Sequence, residues 1–325
     1  MREKITIVGA GAWGTALACI SARAGHETVL WGRTQEVVDE INSNRTNQKY
    51  LGDLTLHQNI QATTNLSDAL GRSTLILLSI PTQTISSRLQ DFPTIPADTI
   101  IVTTCKGIDR RTGKLPAELT AETFPSNKVG ALSGPSFAVD VVANLPTAVT
   151  VASKSEGVAD ILASLLSHDL FRCYASTDIK GVELGGALKN VLALAVGATR
   201  GMELGASAEA ALIARGFAEI TRLAVNLGAK AETLSGLSGL GDLVLTCSST
   251  KSRNFTYGMA MGRGDSLDGL KLAEGAFTAS VANKIARERG LEMPVTEAIV
   301  EVLDNRITAH EAVQRLLSRP LKREQ

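Results

Sequence analysis

Cysteine is scarce in this sequence, and the four that occur are scattered. Cys19, Cys105, Cys173 and Cys247 make no CxxC pair and no Cys/His cluster with metal-ligand spacing, so a zinc ribbon or finger is excluded and a reduced, metal-free interior is expected. Net charge is missing as well: Lys plus Arg and Asp plus Glu each total 33, so no basic field draws in nucleic acid or an anionic membrane, and any phosphate site must be local. Aromatic residues are few, at 4%, but 44% of the 325 residues are hydrophobic, enough to bury a sizeable core in about two domains. Long apolar runs are absent too. "LILLSI" and "VLALAV" are far too short to span a bilayer, and the first strand starts within a few residues of Met1, which leaves no room for a signal peptide. The expectation is a cytoplasmic protein with no membrane insertion and no nucleic-acid partner.

What the sequence does hold is a change of rhythm part-way along. Short runs rich in Ile, Val, Leu and Thr fill the first half: "ITIV", "TVLW", "NIQATT", "TLILLSI", "TIIVTT", "KVGALS", "TAVTVA" and "FRCYAS" read as strands. Helical patterns such as Trp13 to Ala24 and Thr34 to Asn42 separate most of the early ones, which predicts a largely parallel sheet with helices on its faces. From about Gly181 the strands stop. "VELGGALKNVLALAVGATR" and "AEAALIARGFAEITRLAVNLG" carry apolar residues at i, i+3, i+4 and i+7, and "TASVANKIARERG" and "TAHEAVQRLLSR" continue in that style. The expected architecture is α/β: a Rossmann-like sheet domain over residues 1–180, then an all-α domain over residues 181–325.

Gly9, Gly11 and Gly14 form G-A-G-A-W-G between the first strand and an amphipathic helix, with Ala12 and Trp13 in the same turn. In that context Gly9 permits a tight turn, Gly11 lets the backbone approach a pyrophosphate, and Gly14 lets helix pack closely on strand. Enzymes that bind adenosyl cofactors use related turns, so the motif alone does not single out a nicotinamide. About twenty residues on, where an acid would hold a ribose 2′-hydroxyl, the chain reads "LWGRTQE". Arg33 stands at that edge, and a guanidinium favours a 2′-phosphate that a carboxylate would repel.

Ligands of such sheets bind off the carboxyl ends of the strands, where Pro81, Thr82, Lys106, Gly107, Gly134, Pro135 and Ser136 are expected to line one rim. In "GVELGGALKNVLALAVG", Lys189 lies beside an apolar stripe and is expected to extend over Gly185 and Gly186, which would leave room for a small ligand under its ammonium; the alternative is glycines that serve close packing and a lysine that snorkels to water. Further on, Asp242 and Thr246 follow a glycine cluster, and Lys251, Ser252, Arg253 and Asn254 make a polar loop suited to a phosphate oxyanion, or simply to solvent.

These segments together resemble the bacterial NAD(P)-dependent glycerol-3-phosphate dehydrogenases. The likeness runs through GAGAWGTALA, CKG, LSGPSFA, ANLPTAV, GVELGGALKNVLALAVG, ALIARGFAEITRLA, GLGDLVLTC, KSRN, AEG and EMPVTEAI, nearly the whole chain. What it implies is an oxidoreductase that uses NAD or NADP to pass hydride reversibly between the nicotinamide and carbon 2 of dihydroxyacetone phosphate, giving sn-glycerol 3-phosphate for glycerophospholipid synthesis. Lys189 and Asp242 are the implied catalytic pair, with Lys189 as acid and base. Lys106, Gly134, Ser136, Thr246, Ser252, Arg253 and Asn254 are implied for the substrate. Gly9, Gly11, Ala12, Trp13, Gly14, Arg33, Lys106, Ala138, Arg253, Leu272 and Glu274 are implied for the cofactor, and a homodimer for the assembly.

The chain departs from the resemblance at Ala12, where many members carry Ser, and at Cys105, which sets a thiol beside Lys106. A 3-hydroxyacid or 6-phosphogluconate type dehydrogenase and a catalytically silent redox sensor are the competing readings. The first needs a carboxylate substrate, and the second has no use for Lys189, Asp242 and the 251–254 patch together.

Arg33→Asp is expected to raise KM for NADPH far more than for NADH, because one charge-assisted contact is worth roughly 1.5–3 kcal/mol and the new carboxylate adds repulsion. Steady-state kinetics with both cofactors check this, and equal changes would remove Arg33 from 2′-phosphate recognition.

Overall fold

The computed structural model describes residues 2–267 and 273–319. Eight strands, β1 (Lys4–Val8), β2 (Glu27–Trp31), β3 (Ile60–Thr63), β4 (Leu75–Leu78), β5 (Ile100–Thr103), β6 (Lys128–Ser133), β7 (Thr147–Ser153) and β8 (Phe171–Ser176), form one sheet in the order β3-β2-β1-β4-β5-β6-β7-β8. Each apolar run read as a strand contributes one. The four residues of β4 and of β5 are all buried, as befits central strands covered on both faces, and separate apolar clusters pack the two sides. Neighbours run parallel except β6 and β7, which are antiparallel with Leu132 opposite Val151. Their connection holds only the five-residue helix Ala138–Val142, too little for the long crossover that a parallel return uses.

Strand order reverses at β1: the chain runs outward through β2 and β3, then returns to place β4 on the other side. The carboxyl ends beside such a reversal are the usual ligand position in an open sheet. The three glycines of the first turn have different jobs. Gly9 has φ +117°, and a Cβ on it would lie 2.4 Å from the Ser79 carbonyl oxygen; one on Gly14 would lie 1.8 Å from the carbonyl oxygen of Gly9. A Cβ on Gly11 would meet nothing within 4 Å, so the backbone there is open to an approaching group.

The second half is built around the helix Ile179–Gly201, every residue of which from Gly181 to Thr199 is buried. An 18-residue window of it reaches a mean hydropathy of 1.2, long and apolar enough to cross a membrane by composition, although its apolar runs look short in the sequence. Its surroundings explain this: a helix enclosed on all sides is apolar all round. The helix Arg253–Arg263 approaches it almost backbone to backbone. A Cβ on Gly258 would lie 2.1 Å from the Leu194 carbonyl oxygen, one on Gly262 2.1 Å from that of Ala198, and one on Gly197 2.1 Å from that of Phe255. Helices Ala206–Asn226, Glu274–Glu288 and Pro294–Leu303 complete the cluster, and Ile108 and Leu115, from beyond β5, join the same core.

Candidate active site

Lys189 points into the seam between the sheet and the helical half. Its Nζ donates to Asp242 Oδ1 at 2.5 Å and to Thr246 Oγ1 at 2.5 Å. Asp242 and Thr246 are one turn apart on the helix Asp242–Cys247 and so share a face. The other oxygen of the carboxylate, Asp242 Oδ2, accepts from Lys106 Nζ at 2.6 Å, and Lys106 also donates to the Gly134 carbonyl at 3.3 Å. One carboxylate, 1% exposed, therefore holds two lysines, one from the end of β5 and one from the buried helix.

Local sequence explains how Asp242 reaches this point. A π-helical turn, Leu237–Gly241, runs into its helix, and Gly239 is so tightly placed that a Cβ would lie 1.9 Å from the Leu234 carbonyl oxygen. That turn also fills the space beside the lysine helix: a Cβ on Gly185 would lie 2.7 Å from the Ser238 carbonyl oxygen, and one on Gly186 2.5 Å from Ser133 Oγ. The expected ligand room under the ammonium is thus absent. The glycines serve close packing, which brings the turn that leads into Asp242 up against the lysine helix.

Burial brings Lys189 down from the usual lysine range to about 8; Asp242 pulls it back up, and the Lys106 charge pushes it down again. Glu274 sits within the same field. Burial pushes its carboxyl up, while Arg253, Lys106 and Lys189 oppose that shift. Lys106 and Lys189 thus act on both acids, holding Asp242 directly and Glu274 through the field that Arg253 shares.

The 251–254 patch is not a free loop. Ser252 caps the helix Arg253–Arg263, its Oγ accepting from Phe255 N at 3.3 Å, so Arg253 stands exposed at the positive end of that helix with no ion pair among the described residues. Asn254 points inward: Nδ2 donates to Asn190 Oδ1 at 3.0 Å and Oδ1 accepts from Gly275 N at 2.9 Å. Lys251 is diverted, because its ammonium pairs with Asp140 Oδ1 at 2.9 Å and lies 5.8 Å from the centre of the Phe137 ring. Ser136 Oγ donates back to the Gly134 carbonyl at 3.0 Å, and Ala138 opens the short helix that follows.

At the glycine turn, no side chain caps the helix Ala12–Arg23, Ala12 offers no hydroxyl, and the buried Trp13 Nε1 has no partner. Open space at Gly11, free first-turn N–H groups and an orphaned indole donor fit a dinucleotide pyrophosphate. Arg33 is exposed just beyond β2, ahead of the helix Gln35–Asn44. Leu272 lies outside the described residues. Burial pushes the Cys105 thiol far up, so it stays protonated beside Lys106 and is a poor nucleophile.

Two residues escaped the sequence reading. Asn190, next to Lys189, is buried and fastens Asn254; a polar residue following Lys189 in so apolar a helix was the available signal. Asn47 is wholly buried and donates to the Ala10 carbonyl at 3.1 Å and to Thr15 Oγ1 at 2.8 Å, pinning the glycine turn from across the fold. Nothing local marks it.

Comparison with known proteins gives a consistent picture. Residues 4–159 match the family model for the NAD-dependent glycerol-3-phosphate dehydrogenase N-terminus, and residues 178–314 match that for the C-terminus. The chain is 50% identical over 325 residues, all of both chains, to glycerol-3-phosphate dehydrogenase [NAD(P)+] of Brucella canis. It is 52% identical over 321 residues, 98% of each, to the protein of that name from Chelativorans sp.. The crystal structure of glycerol-3-phosphate dehydrogenase from Coxiella burnetii superposes with a TM-score of 0.92 at 37% identity, covering 98% of this chain and 99% of that one.

Lys106→Gln removes one of the two cations on Asp242 and is expected to raise the proton affinity of Lys189. An NMR titration of ¹³C-labelled lysine side chains, with Lys189→Met to assign the signal, reads the direction; a downward movement would mean that Lys106 does not repel the Lys189 ammonium.

Proposed function

The chain belongs to the NAD-dependent glycerol-3-phosphate dehydrogenase family, and from that premise we propose how its residues carry out reversible reduction of dihydroxyacetone phosphate to sn-glycerol 3-phosphate with NAD(P)H. The observation that carries the proposal is the shared carboxylate. Asp242 keeps an ammonium with a lowered proton affinity at the rim where the strand ends converge.

The nicotinamide, when bound, supplies or accepts the hydride. Residues 1–180 hold the dinucleotide: Gly9, Gly11 and Gly14 shape the turn, the first-turn N–H groups meet the pyrophosphate, and Arg33 takes the 2′-phosphate when NADP is used. Residues 181–325 hold the triose phosphate. Lys189 gives its proton to the oxygen on carbon 2 as that oxygen gains charge, and takes it back in the oxidative direction. A pKa near 8 suits both roles, since the ammonium dominates at neutral pH yet parts with its proton readily. Asp242 and Thr246 aim it. Lys106, reaching the same carboxylate, steadies the substrate oxygens, and Arg253 with the N-terminal N–H groups of its helix anchors the phosphate. Asn254, through Asn190, fixes the distance between that anchor and Lys189. A cytoplasmic location, a homodimer and a role in supplying glycerophospholipid synthesis belong to the same reading, supported by the likeness to the family.

A fall in NADPH absorbance on adding dihydroxyacetone phosphate tests the activity. Arg253→Ala tests the anchor: with NADPH saturating, kcat/KM for dihydroxyacetone phosphate should fall about thirtyfold to nearly a thousandfold, the loss of roughly 2–4 kcal/mol for a charged contact. Plain dihydroxyacetone, lacking the phosphate, should be little affected. An equal loss on both substrates would take the phosphate away from Arg253.

A further inference from the structure

Glu183 lies on the same helix as Lys189 and precedes it by six residues, buried to 5% exposure and apart from the site described above. Its Oε1 accepts from Thr103 Oγ1 at 2.7 Å and from Ala117 N at 3.0 Å, while Oε2 is buried without a partner. No ion pair among the described residues involves it, although a buried carboxylate ordinarily requires one. The titratable or charged groups facing it are the Cys105 thiol and Glu118, whose own carboxylate is 3.5 Å from Lys180. Burial pushes Glu183 up to about 8, so near neutrality the carboxylic acid predominates.

Its partners are informative. Thr103 is the last residue of β5, three before Lys106, and Ala117 stands in the first turn of the helix Pro116–Thr123. The Glu183 side chain thus ties the strand that delivers Lys106 to the helix that delivers Lys189. Those two lysines must reach opposite oxygens of one carboxylate, so an error of an ångström in the spacing of strand end and helix breaks one of the contacts.

We infer that Glu183 is a positioning residue for the reaction, acting through its two accepted hydrogen bonds to set the spacing of Lys106 and Lys189 across the seam. The inference rests on Lys189 being the proton donor. It separates two properties that are usually confounded, the acceptor oxygen and the negative charge: only the first is required.

Glutamine keeps the acceptor and cannot ionise, whereas leucine keeps the bulk and removes the acceptor. Glu183→Gln is expected to hold kcat within about twofold of the parent, and Glu183→Leu to lose about tenfold to a hundredfold in kcat, the usual penalty of a small misplacement, with KM for NADPH little changed. Thr103→Val, which removes one donor to the same oxygen without disturbing the core carboxyl, should show the same split and stands in if the leucine variant does not fold. A leucine or valine variant that keeps kcat, or a glutamine variant as impaired as the leucine one, overturns the inference. Lys189→Met measured alongside shows which claim has failed: if it keeps kcat, the proton-donor reading falls and the inference with it, and if it loses kcat while Glu183→Leu does not, only the inference falls.

Discussion

The site depends on one carboxylate with two claimants. Asp242, shut off from water, binds Lys106 through one oxygen and Lys189 through the other, so neither lysine can be displaced without affecting the second. A buried ion pair is weak evidence of stability, because desolvation opposes the attraction, and breaking one commonly costs about 3–5 kcal/mol. Here the arrangement bears on the charge of one side chain. Burial and Lys106 weaken the hold of Lys189 on its proton, Asp242 opposes them, and the balance leaves its pKa at about 8.

Much of the remaining structure serves to bring those three side chains to one point. Asp242 gets there because Gly239 lets a π-helical turn close on itself and Gly185 lets that turn touch the lysine helix. Lys189 is held there by a helix packed tightly on its far side, where Gly197, Gly258 and Gly262 allow the helix Arg253–Arg263 to approach at backbone distance. Lys106 gets there because it follows β5 at the carboxyl edge of the sheet. Small residues thus do for the site what large ones do for the core: they determine which backbones can be neighbours.

Strands and the glycine turn were legible because their signals are local. Every apolar run became a strand, and the period-3.6 patterns after Gly181 became helices. The antiparallel β6–β7 pair was not legible, since strand direction depends on the room available for a crossover rather than on the strands themselves. The site was legible in part: Lys106, Lys189, Asp242 and Thr246 do converge, though their pairing needed coordinates. Gly185 and Gly186 misled because a missing side chain looks like room until a neighbouring backbone is seen to fill it. Lys251 misled because its partner, Asp140, is 111 residues away in sequence, and Asn47 stayed hidden for the same kind of reason.

Whether Asp242 sustains the charge on Lys189 is read from the pH dependence of kcat for dihydroxyacetone phosphate reduction, with NADPH saturating, in the native enzyme and in the residual activity of Asp242→Asn. Reduction needs the ammonium, so native kcat should fall as pH rises through about 8, and in the variant the fall should come at lower pH, because the attraction that raised the proton affinity of Lys189 is gone. A fall at the same or a higher pH in the variant would contradict the account.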